Sequence, residues 1–129
     1  MNQPIEYVNA PELIPPKGHY SHCVNANGFV FISGLLPVDK LGNAISNRSF
    51  YEQATLVLGN LQACLETANC SKRHLVQVRV YIANMENWQQ FNQIYADWIG
   101  DYRPARAVAG VSELHFGAAL EIEATAVVA

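Results

Sequence analysis

The chain has 129 residues, half of them apolar, and its 8 basic and 11 acidic residues leave a net charge of −3. That length suits one domain, able to bury about 68% of its unfolded surface, and that charge supplies no basic stripe for nucleic acid. The start Met1-Asn2-Gln3-Pro4 lacks the basic and apolar regions of a signal peptide, no apolar run approaches the ~18 residues of a membrane span, and Cys23, Cys64 and Cys70 form neither a C-x-x-C pair nor an even set for disulfides. We expect a single domain over residues 1–129 in the cytoplasm, without nucleic-acid or membrane partners.

The first 22 residues read as loop, because Pro15-Pro16-Lys17-Gly18 removes backbone donors and fixes φ. A short strand is expected at Ile5 to Val8. His22 to Asn25 and Phe29 to Ser33 flank Ala26-Asn27-Gly28. Asn-Gly tolerates positive φ at both positions, so this is a hairpin. Gly34 is expected to end the second strand, with Pro37 excluding central pairing beyond Leu36. Val38 to Asn47, with Asp39, Gly42 and Asn43, reads as a surface loop.

Ser49 and Glu52 have the spacing of a capping box, in which each side chain takes up a backbone N–H. Ala54, Leu58, Leu61, Leu65 and Ala68 then follow at steps of four and three, one continuous helical face, with Asn69 as the stop. Leu75 to Ile82 alternates as a strand, placing Val76, Val78, Val80 and Ile82 on one face and Leu75, Gln77, Arg79 and Tyr81 on the other. Trp88, Phe91, Tyr95 and Trp98 mark a second helix that Gly100 closes. Arg106 to Val111 is a short strand, Glu113 to Gly117 a turn. In the last strand Leu120, Ile122, Ala124 and Ala126 alternate with Glu121, Glu123, Thr125 and Val127.

Two helices, each with one apolar stripe, can cover one face of a single mixed sheet in an α+β arrangement. The other face carries Gln77, Arg79, Tyr81, Glu121, Glu123 and Thr125 beside large apolar groups, so it is expected to line a subunit interface.

Arg106, just inside a strand after proline, can hold a carboxylate with two parallel N–H bonds. A surface or interface ion pair is the commoner explanation on spacing alone, and Arg103 is assigned to such a structural role. Glu121 and Glu123 share a strand face, so one of them needs a partner or a wet site. Arg79 is the expected partner of Glu123, which frees Glu121 to orient a water; an interface ion pair is the alternative for Glu121. His19, His22, His74 and His115 lack zinc-like spacing, so no metal is expected. The cysteines read as buried thiols. No nucleophile elbow, phosphate loop or dinucleotide fingerprint occurs.

Five segments carry a resemblance. They are Gly18-His19-Tyr20-Ser21, Phe31-Ile32-Ser33-Gly34 with Pro37 after it, Phe91-Asn92-Gln93-Ile94-Tyr95, Arg103-Pro104-Ala105-Arg106, and Leu120-Glu121-Ile122-Glu123-Ala124. In order and separation they resemble the RidA (YjgF) family of enamine and imine deaminases. The resemblance implies a chorismate-mutase-like α+β fold of the bacillar type, with a mainly antiparallel mixed sheet, two long helices on one face and assembly as a homotrimer. It further implies cofactor-free hydrolysis of 2-enamine or 2-imino acids to 2-oxo acids and ammonia, in clefts between subunits. By position, Arg106 would hold the substrate carboxylate and Glu121 would handle the attacking water. Tyr20, Ser33, Gly34, Asn92 and Val108 would line the cleft.

The chain departs from the family at three places. Leu35 stands where Gln is frequent, Val108 replaces a cysteine, and His115 replaces a proline, with Phe116 beside it. These changes make the expected cleft wall less polar and remove any thiol from the chemistry. Two alternatives stay open: deamination of a stable enamine of the aminomuconate type, and binding of small carboxylates without turnover.

Overall fold

The computed structural model describes residues 4–128, so Met1-Asn2-Gln3 of the N-terminal reading lies outside the described residues. The elements are β1 (Glu6–Val8), β2 (Cys23–Ala26), β3 (Phe29–Leu35), α1 (Phe50–Thr67), β4 (Leu75–Ile82), α2 (Trp88–Ile99), β5 (Ala105–Gly110) and β6 (Leu120–Val127). The strands form one sheet in the order β1-β2-β3-β6-β4-β5. Every pairing is antiparallel except β4 with β5, the two strands that α2 connects. This is the expected α+β architecture of two helices on a mixed sheet.

Local chemistry sets most of the element ends. Asn27 and Gly28 take φ of 52° and 80°, which turns β2 into β3 with the twist a hairpin needs. The Ser49 hydroxyl accepts the Glu52 N–H at 3.1 Å and starts α1. The return half of the expected capping box is absent: the Glu52 carboxylate takes Arg48 at 3.0 Å and the Ser49 hydroxyl at 3.3 Å instead. At the other end Asn69 is left-handed at φ 59°. The N–H of Cys70 then reaches the carbonyl of Leu65 at 2.8 Å and that of Asn69 reaches Glu66 at 3.0 Å, the two bonds of a Schellman stop.

Helix α1 buries Ala54, Leu58, Leu61 and Leu65, and α2 buries Phe91, Tyr95 and Ile99, against Val30, Ile32, Val78, Val80, Ile82, Ile122 and Ala124 of the sheet. Each fully buried leucine contributes about 1.5–3 kcal/mol in transfer terms. The opposite sheet face is left open and presents Phe29 and Phe31 at 43% and 46% exposure beside Arg79 and Glu123.

Two strand expectations are corrected. Strand β3 does not end at Gly34; it continues to Leu35 across an irregularity between Ile32 and Leu35, where Ser33 and Gly34 together face one residue of β6. In β4 the register shifts between Leu75 and Gln77. Leu75 is therefore buried on the helix side, while Val76 points out at 42% exposure, the reverse of simple alternation.

Candidate functional site

The bulge in β3 opens the site. At Ser33 the chain leaves the ladder, its N–H bonding to the carbonyl of His22 at 3.0 Å and its hydroxyl to that of Ser21 at 2.6 Å. Gly34 then passes directly under the side chain of Glu121. A methyl group placed on Gly34 would lie 2.5 Å from Oε2 of Glu121, so only glycine admits the carboxylate there.

Glu121 faces a cavity of about 590 Å³ whose wall includes Tyr20, Ser33 and Gly34 from the expected set. Ile14, Leu36, Val38 and Phe116 make much of the remaining wall apolar. Burial pushes the Glu121 carboxyl above the usual carboxylate range; the positive charge of His115 opposes this shift and the charge of Glu123 adds to it. Among the described residues no ion pair reaches Glu121, since the pairing present joins Arg48 to Glu52.

Glu123 differs from its neighbour two residues away. Arg79 lies opposite it in register, yet the guanidinium turns to the Gln77 side-chain oxygen at 3.0 Å. The Glu123 carboxylate instead accepts a short hydrogen bond from the Tyr81 hydroxyl. The expected Arg79–Glu123 pair is thus replaced by Tyr81–Glu123, and this bond, ahead of partial burial, raises the Tyr81 phenol above its ordinary range.

Arg106, Val108 and Asn92 stand elsewhere in the protomer. Arg106 is registered with Val78 and Val108 with Val80, so both share the helix side of the sheet, whereas Glu121 pairs with Tyr81 on the open side. The guanidinium of Arg106 stacks over the rings of Tyr95 and Trp88, at 5.0 Å and 5.4 Å from their centroids. Val108 packs partly buried against the core, and Asn92 is exposed on α2. None of the three lines the cavity around Glu121.

Several cavity residues escaped sequence reasoning. Asn60 on α1 donates to the carbonyls of Leu36 at 3.3 Å and Val38 at 3.1 Å, tying the loop after Pro37 to the helix. His22 is buried; its Nδ1 accepts the Ala10 N–H at 3.0 Å, and desolvation lowers the pKa of the imidazole. Lys17 also reaches the cavity, as does His115, which the sequence places at the cleft wall. The three cysteines are free, buried and outside the cavity lining. Among the described residues no cluster of three metal-ligating side chains occurs, and no helix is long and apolar enough to cross a membrane.

Comparison with known proteins agrees on kinship. The family model described as endoribonuclease L-PSP matches residues 10–128. A RutC family protein from Pyrococcus horikoshii is 36% identical over 126 residues, 98% of each chain. A structure of the Rid family protein YyfA from Yersinia pestis has a TM-score of 0.92 at 33% identity, covering 97% of this chain and 100% of that one. E. coli TdcF, solved with bound serine, has a TM-score of 0.88 at 26% identity, covering 95% and 99%. With nearly its whole length matched in sequence and in fold, the chain belongs to the endoribonuclease L-PSP family, the YjgF/RidA family that its closing motifs resemble.

Proposed function

We propose that the protein hydrolyses reactive 2-enamine and 2-imino acids to 2-oxo acids and ammonia in the cytoplasm, working as a homotrimer without a cofactor. The observation that carries this reading is Glu121: a carboxylate without an ion-pair partner among the described residues, desolvated on a glycine floor inside a cavity large enough for an amino-acid-sized ligand. A carboxyl with a raised pKa is a better base for water and can also hold a proton for the departing amine.

An imino acid brings its own electrophile, so the protein has to orient water and neutralise the substrate carboxylate. Arg106 suits the second task through its planar fork. It lies on the other side of its own sheet from Glu121, which supports a site completed by Arg106 of a second copy. The serine held by TdcF supports a carboxylate-bearing ligand of this size. Cleavage of RNA, which the family's description names, has less support in a chain of net charge −3.

The test is to release imino acids with an amino-acid oxidase or a threonine dehydratase and to follow their decay to 2-oxo acid. Faster decay with the purified protein is expected. Decay unchanged for several side chains would falsify the reading.

A further inference from the structure

We propose that His115 is a second proton carrier of this cleft, acting opposite Glu121 on the nitrogen of the bound imine. The inference rests on the deaminase reading. Glu121 enters the cavity from β6, and His115 enters it from the single helical turn His115–Gly117 that precedes that strand.

The turn has an uncommon backbone. Phe116 and Gly117 lie at φ 62° and 68°, a left-handed pair in which only the glycine is free of steric conflict. Hydrogen bonds hold it there. Gly117 N–H donates to the Leu114 carbonyl at 3.2 Å, the Ser46 hydroxyl donates to the Phe116 carbonyl at 2.6 Å, and Ala119 N–H donates to the Gln53 side chain at 2.9 Å. Strain maintained by surrounding bonds is characteristic of functional sites. Here it sets the rings of His115 and Phe116, 6.0 Å apart, at the cavity wall.

The histidines at positions 22 and 74 use Nδ1 to accept backbone N–H groups. The His115 ring makes no hydrogen bond to the described residues and is exposed, which leaves both nitrogens available to a ligand. The other titratable groups of the cavity are Lys17, Tyr20 and His22, with Glu123 beyond Glu121 on β6. Of these, His22 is buried, its Nδ1 taken by the Ala10 N–H. His115 and Glu121 line the same cavity, and the charge of His115 acts on the Glu121 carboxyl against the push of burial.

The hydrolysis then closes on two carriers. Water oxygen bonds to the imine carbon as its proton passes to Glu121, while the His115 imidazolium protonates the imine nitrogen. The carbinolamine collapses when Glu121 returns its proton to the nitrogen, the C–N bond breaks to release ammonia, and the hydroxyl proton goes to His115. Both residues end in their starting states, and the sum is imine plus water to 2-oxo acid plus ammonia.

The experiment compares the imine-decay rate of wild type, His115→Gln, His115→Lys and Glu121→Gln across neutral pH. Because His115 is exposed, the fold is expected to survive; unchanged thermal midpoints check this, and added imidazole should restore part of the His115→Gln rate. His115→Gln should lower kcat roughly 100-fold, leave KM within about twofold, and erase the fall in rate with rising pH that a histidine acid imposes. His115→Lys should move that fall to higher pH. A His115→Gln protein with the wild-type rate and pH profile overturns the proposal while leaving the deaminase reading intact. A wild type that does not speed imine decay removes that reading, and the role of His115 with it.

Discussion

Gly34 and Glu121 occupy one another's space: a Cβ on the glycine would meet the glutamate carboxylate at 2.5 Å and its Cδ at 2.9 Å. The obstacle is the end of a flexible side chain, so Gly34→Ala should keep the fold, with a stability change below about 1 kcal/mol. The carboxylate has to swing away, and a displacement near 1 Å costs about 100-fold in rate. Urea unfolding together with imine-decay kinetics checks both halves. A fully active Gly34→Ala variant contradicts the placement of Glu121 as the water-handling group.

Glu121 also predicts how stability depends on pH. Burial raises its carboxyl pKa in the folded state, so the folded chain binds the proton more tightly than the unfolded one. Its charge therefore opposes folding at neutral pH, and the penalty disappears as pH falls below the ordinary glutamate value of about 4.3. Glu121→Gln should melt higher than wild type at pH 7 and no higher near pH 4, while losing activity. Thermal melts at the two pH values decide this; equal midpoints at pH 7 count against a desolvated carboxylate.

The stacking of Arg106 on Tyr95 and Trp88 separates its two roles. Arg106→Lys keeps the charge but loses the planar fork and the stacking, and should raise KM roughly tenfold or more. Arg106→Ala should lower kcat/KM by roughly 100- to 10,000-fold, the equivalent of two charged hydrogen bonds, and reduce stability by about 1 kcal/mol through the lost ring contacts. Steady-state kinetics paired with chemical denaturation distinguishes these effects. A stability loss without a kinetic one would leave Arg106 purely structural.

On the open sheet face, the rings of Phe29 and Phe31 lie 6.2 Å apart and are each a little under half exposed in the protomer. If this face is where copies meet, light scattering should give the mass of three chains. Phe31→Asp should shift that mass to one chain and abolish activity, because a charge would be buried without a partner. A wild-type mass of one chain rules out this use of the face.

Sequence by itself determined the elements of this protein. The four-and-three spacing from Ala54 to Ala68, the Asn27-Gly28 turn, the stop at Asn69 and the alternation from Leu120 to Val127 are all local patterns, and a helix or strand obeys them wherever it is placed. Tertiary structure decided which residues meet. Arg106 and Glu121 stand on successive strands of the chain, but β5 pairs on the far side of β4 from β6 with a register that turns them to opposite faces. The Ser33–Gly34 bulge, the reversal of Leu75 and Val76, and the choice of Tyr81 over Arg79 by Glu123 likewise arise between strands tens of residues apart. Period-two alternation says which residues share a face of one strand; it carries no information about the neighbour or the register, and a one-residue slip inverts every side chain.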